Sequence, residues 1–169
     1  PDIGRTIAVD GSGNVYVASW SDATWGLPVN TLAGGADAFA VKLNNSGIRQ
    51  WNTFLGGSST DDGYAIAVDD NGNLYIAGES WATWGSPLNA FAGINDVFAV
   101  KLNRKGVRQW NTFMGSSSND WGRAIALDES GNVYVAGDSH DSSGSPMNAF
   151  AGPNDAFAAM LLPHFNSSE

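Results

Sequence analysis

Gly63-Tyr64-Ala65-Ile66-Ala67-Val68-Asp69 decides the fold, because the chain writes it three times. It answers Gly4-Arg5-Thr6-Ile7-Ala8-Val9-Asp10 before it and Gly122-Arg123-Ala124-Ile125-Ala126-Leu127-Asp128 after it. The step from Gly4 to Gly63 is 59 residues, and the step from Gly63 to Gly122 is again 59, with no gap. Ser86 to Asp96 returns as Ser145 to Asp155 with only Leu88→Met147 and Ile94→Pro153 changed. A long fixed period is the mark of a repeat architecture. The copies divide the chain at 1–62, 63–121 and 122–169.

Within the middle copy, Ala65 to Val68 is short, apolar and partly β-branched. Asp69-Asp70-Asn71-Gly72-Asn73 carries Asn-Gly, a hairpin signal in which both turn residues tolerate positive φ. Leu74 to Gly78 is a second strand, and Asp96 to Asn103 a third. After the turn Arg104-Lys105-Gly106, Val107 to Met114 is a fourth. The opening strands are apolar on both faces, Ile66 and Val68 against Ala65 and Ala67. A sheet with one wet face alternates more cleanly, so each four-stranded unit needs a neighbour on both sides. Radial stacking supplies that, and the expected fold is an all-β propeller. A β-solenoid is the alternative, but its repeats are usually shorter.

The pattern Gly-x-x-Ile-Ala-Val-Asp-x-x-Gly-Asn-x-Tyr-Val-x-Gly, then Asp-Ala-Phe-x-x-Lys-Leu-Asn, then Phe-Leu-Gly-Gly-Ser-Ser resembles the bacterial and archaeal SBBP β-propeller repeat. It is more distantly similar to the NHL repeat. The residues are Ile7-Ala8-Val9-Asp10, Gly13-Asn14-Val15-Tyr16-Val17, Asp37-Ala38-Phe39, Lys42-Leu43-Asn44 and Phe54-Leu55-Gly56-Gly57-Ser58-Ser59, with their equivalents. The resemblance implies extracellular or cell-surface proteins and no shared catalytic residues. This chain departs from the family in its Trp-rich second loop and its small number of copies.

Known propellers have about 4–8 blades, and this chain encodes three. The third runs through Ala158-Ala159-Met160-Leu161-Leu162 and meets Pro163-His164-Phe165, so its outer strand is expected to be missing. Two chains about a two-fold axis would make six blades, giving a homodimer or larger assembly; the other reading is one slice of a longer polypeptide. Lys101 and Asn103 become Met160 and Leu162, which makes these two an apolar edge for a partner, unless the tail Phe165 to Glu169 covers it.

Lys and Arg total 8 against 17 Asp and Glu, a formal charge of −9. That repels nucleic acid and anionic membrane surfaces. No run approaches the roughly 18 apolar residues of a membrane-spanning helix, and Cys is absent, which excludes thiolate chemistry. His140 and His164 sit in unrelated contexts, and no nucleophile elbow, zinc motif or phosphate loop is visible. The chain is therefore expected not to be an enzyme and to need no cofactor; a hydrolase or lyase is the weakest reading.

The expected role is an extracellular scaffold or interaction module acting through blade edges and one loop face. The alternative is a lectin-like module. Trp20, Trp25, Trp81 and Trp84, with Asn30, Asn89 and Asn148, are expected on the face shared by the second loops and the inter-blade links. Aromatic rings beside amides suit sugars, although Trp also packs long loops. Asp61, Asp62 and Asp120 are the candidate cation ligands. Glycans or surface proteins are the candidate partners. Asp10, Asp69 and Asp128 echo a calcium loop but lack its distal Glu, and read as turn caps.

Overall fold

The computed structural model describes residues 1–142 and 150–162. Asn148, Ser143, His164 and the tail lie outside the described residues. Eleven strands form three antiparallel sheets. The first contains β1 (Asp2–Val9), β2 (Val15–Ser21), β3 (Asp37–Leu43) and β4 (Arg49–Leu55). The second contains β5 (Asp61–Val68), β6 (Leu74–Ser80), β7 (Asp96–Leu102) and β8 (Arg108–Met114). The third, among the described residues, contains β9 (Asp120–Leu127), β10 (Val133–Ser139) and β11 (Asp155–Leu161). Each sheet is a meander in chain order. Asp61-Asp62 and Asp120-Trp121 open their sheets, two residues ahead of the division read from the repeat.

Neighbouring sheets touch along their first strands, β1 against β5 and β5 against β9. The first strands therefore form the hub of the row. One sheet face is built of small residues and one Tyr, the other of bulky aliphatics and Phe. In the first junction Tyr16, Ala18, Ala38 and Ala40 receive Leu74, Ile76, Phe98, Val100 and Leu102, all fully buried. In the second, Tyr75, Ala77, Val97 and Ala99 receive Val133, Val135 and Leu161. Burying one such large side chain contributes about 1.5–3 kcal/mol.

The first turn of each copy follows one scheme. Asp69 Oδ1 accepts the N–H groups of Asn71 and Asn73 at 2.9 and 2.8 Å, and Oδ2 accepts Asn73 Nδ2 at 2.8 Å and the Tyr75 hydroxyl at 3.3 Å. Asp10 and Asp128 bind Tyr16 and Tyr134 in the same way. Burial raises the Asp10 pKa, but the hydrogen bonds from Asn14, Tyr16 and Ser12 together outweigh that and hold it down at about 2. The Asn-Gly expectation needs one correction: in this turn Gly72 has positive φ and Asn71 does not, and among the described residues no non-glycine residue does. The Asp-capped β-turn (Gly72 N–H to Asp69 C=O, 2.9 Å) is followed by the left-handed Gly72 and closed by Asp69 N–H to Asn73 C=O at 3.0 Å, which makes a three-residue loop in place of a two-residue one.

The second loop also departs from expectation. It runs back along the outer strand. Val29 N–H donates to Asn52 C=O at 2.8 Å, and Phe54 N–H to Asn30 C=O at 3.1 Å. Leu88 and Asn89 repeat this on Asn111 and Phe113. An outer strand has a row of unpaired amides, and the loop satisfies part of it.

Trp51 ties the first sheet to the second. Its indole N–H donates to Arg104 C=O at 3.0 Å, and its ring lies against Gly106. Gly106 has φ 79°, and a Cβ there would lie 2.8 Å from Trp51 Cε3. Gly47 has φ 77° with nothing within 4 Å. Gly47→Ala should therefore cost only the left-handed backbone penalty of about 1–2 kcal/mol. Gly106→Ala should cost clearly more, read as the difference between the two denaturation midpoints.

Candidate functional site

The links between sheets are held by buried carboxylates. Asp61 Oδ2 accepts Gly57 N–H at 2.9 Å, and its Oδ1 accepts the Ser80 hydroxyl. Asp37 Oδ2 accepts Ala33 N–H at 2.7 Å. Gly56 fits between them, where a Cβ would lie 2.5 Å from Asp61 Oδ2 and 2.8 Å from Asp37 Oδ1. Asp120 repeats the scheme, accepting Ser116 N–H at 2.7 Å, with Gly115 wedged against Asp96. Asp61 and Asp120 thus grip their own links, one junction apart, and Asp62 points elsewhere. The structure does not gather the three candidate cation ligands, and no group of three or more acidic or His residues fit to hold a metal occurs among the described residues.

Asp62 belongs to a charged and aromatic cluster at the hub. Its Oδ2 lies 3.1 Å from Arg5 Nη2, and its Oδ1 is buried without a hydrogen-bond partner. The guanidinium groups of Arg5 and Arg123 each lie 5.1 Å from the Tyr64 ring centre. The Tyr64 hydroxyl donates to Glu79, which also accepts Asn95 Nδ2 at 2.5 Å. Arg123 Nε donates to Asp138 Oδ1 at 2.7 Å, and Trp121 meets His140 edge-on at 4.8 Å. Burial raises the Asp62 pKa to about 6 and Glu79 adds to it, while Arg5 pulls against both. Burial likewise lifts Asp61 to about 6, against its bonds to Ser80 and Gly57 and with help from Asp37.

The four candidate Trp residues do not share a surface. Trp25 packs edge-on against Phe39 and Phe54, at 5.4 and 5.9 Å. Trp84 repeats this on Phe98 and Phe113 and is only 5 % exposed. These rings fasten the strap-like second loop to its own sheet, Trp84 buried and Trp25 half-buried. Trp20 is half-buried in β2, and Trp81 is 47 % exposed. Asn30 and Asn89 lie along the outer strands, with Asn30 Nδ2 donating to Thr53 Oγ1 at 3.2 Å and Asn89 N–H to Thr112 Oγ1 at 3.2 Å. Met160 is 50 % exposed and Leu162 49 %.

The sequence reading missed Arg5, Tyr64, Glu79 and Arg123. Their signal was disagreement between copies: Arg5, Tyr64 and Arg123 occupy one position of the 59-residue step, and Trp20, Glu79 and Asp138 another. The strand framework around them barely changes.

The model for the beta-propeller repeat named SBBP matches residues 2–24, 50–83 and 107–143. The chain belongs to the SBBP β-propeller repeat family. It is also similar to the "Regulatory protein FlaEY" of Caulobacter vibrioides, at 26 % identity over 143 residues. That alignment covers 79 % of this chain and 15 % of the relative, so the chain spans a small part of that protein's length.

The two raised carboxylates set a pH dependence. Both folded pKa values lie near about 6, above the unfolded value of about 3.9. The folded state then binds protons more tightly than the unfolded chain, so stability falls as pH rises from about 4 through 6 and levels off above. Thermal melts should give a higher midpoint at pH 5 than at pH 7. Asp62→Asn should narrow that gap, and an unchanged gap excludes Asp62 as a source.

Proposed function

We propose that this SBBP chain is a non-catalytic interaction module whose two end faces each take up another blade, supplied by a second copy or by more blades of one polypeptide. The observation that carries this is one position seen three times. Tyr16 and Tyr75 are 0 % and 4 % exposed beneath the following sheet, while Tyr134 is 40 % exposed. Ala136 and Ala158 are exposed where Ala18, Ala40, Ala77 and Ala99 are fully buried. At the other end Ile7 and Val9 are 66 % and 58 % exposed, at the positions of the half-buried Ile66 and Val68. The row thus ends in a small-residue face on one side and a bulky face on the other, the two halves of its internal junctions. Exposed apolar patches of this kind mark association surfaces. Likeness to a protein named as regulatory is consistent with an interaction role.

The test is light scattering or sedimentation on the chain. Self-association is expected, and a dimer would correspond to six blades. Ala136→Arg and Ile7→Asp should each reduce it while leaving the circular dichroism spectrum unchanged. Met160→Lys should have little effect, because Lys42 and Lys101 stand at that position in packed junctions. A chain that stays monomeric at every accessible concentration would count against a second copy as the occupant. Equal effects of all three variants would overturn the face-to-face mode.

A further inference from the structure

A groove of about 340 Å³ opens at the rim between the first two sheets. Asn30, Thr31 and Phe54 line one side, and Trp84, Val107 and Arg108 the other. None of its lining residues is acidic, in a chain with 17 Asp and Glu against 8 Lys and Arg. Arg108 is half-buried, with its guanidinium 5.7 Å from the Trp84 ring centre. Among the described residues it forms no ion pair. Burial lowers its pKa. Gly85 makes room for this placement, since a Cβ there would lie 2.6 Å from Arg108 Cζ. The nearby Asp61 carboxylate is fully buried and committed to Gly57 and Ser80.

A half-buried guanidinium placed over an indole ring, without a carboxylate partner, is a preset receptor for a planar anion. Its fork of N–H donors matches a carboxylate in two parallel bonds. The rest of the groove is neutral. Asn30 and Thr31 offer amide and hydroxyl groups, and the exposed Val107 offers apolar surface to ring C–H groups. The volume lies at the small end of ligand pockets, about 300–1,000 Å³. We propose that this groove binds a carboxylated sugar, a uronic acid, with Arg108 on the carboxylate and Asn30 and Thr31 on ring hydroxyls. The site differs from the open Trp platform that the sequence suggested, and it does not depend on how the row ends are occupied. Arg49 also lies over a tryptophan, Trp25 at 5.9 Å, but it is exposed and does not line this groove.

The experiment is an NMR titration of the ¹⁵N-labelled chain with digalacturonate, a neutral digalactoside, acetate and inorganic phosphate. Digalacturonate should shift the Asn30, Thr31 and Gly85 amides and bind about tenfold more tightly than the neutral sugar. Arg108→Gln should remove about tenfold of that affinity, Arg108→Lys should lose less, and Arg49→Gln should change nothing. Thermal melts of each variant establish that the fold is kept. Equal binding of the neutral sugar, retained affinity in Arg108→Gln, or no shift at tens of millimolar ligand would each overturn the proposal. Acetate or phosphate binding as tightly as digalacturonate would overturn its sugar component.

Discussion

The structure depends on the fit of a bulky sheet face into a flat one. Each sheet carries Leu, Ile, Val and Phe on one side and Ala with one Tyr on the other, so no sheet can bury both faces alone. The second sheet, with neighbours on both sides, has nearly every strand residue from Leu74 to Ser80 and from Asp96 to Leu102 covered. The flanking sheets have one covered face each. Hydrogen bonding adds to the first junction, where the Trp51 indole reaches the next turn, and glycines at Gly56, Gly115 and Gly106 permit contacts that a Cβ would block. Transfer of apolar surface from water supplies the drive. Directional bonds set which face meets which.

Most of this framework was legible in the residues. The 59-residue step, the two-sided apolar strands and the Asp-x-x-Gly-Asn turns predicted three successive antiparallel sheets because each follows from local chemistry. Asp caps bond their own backbone, and glycine takes the left-handed position. The path of the second loop was not legible. Its Trp, Gly and Pro content marks an irregular segment, but only the free amides of β4 and β8 decide that it lies along the outer strand. Trp25 and Trp84 therefore read as a candidate ligand platform until their Phe partners, far away in sequence, came into contact with them.

The hub was harder still. Arg5, Tyr64 and Arg123 fall where the pairing of first and second strands shifts register, between Gly4 and Thr6 in the first sheet and between Gly63 and Ala65 in the second. An irregular residue of this kind leaves the alternation of the strand, so periodicity cannot say where its side chain goes. Comparison of the copies is the better guide. Positions that carry the blade junctions repeat in kind, while those at the hub differ from copy to copy. Arg108 escaped for the opposite reason. It repeats Arg49, and only the groove beside it distinguishes the two.

The straps formed by Val29-Asn30 and Leu88-Asn89 have a consequence for how the molecule can grow. Sheets with bare long sides tend to merge into wider sheets, the route to fibrous aggregates. Here the outer margins of the first two sheets are already bonded from within the chain. Their adhesive surface is confined to the broad faces, perpendicular to that route. A unit that added to this row would therefore meet a broad face, and the outer margins of the first two sheets would take no part in the contact.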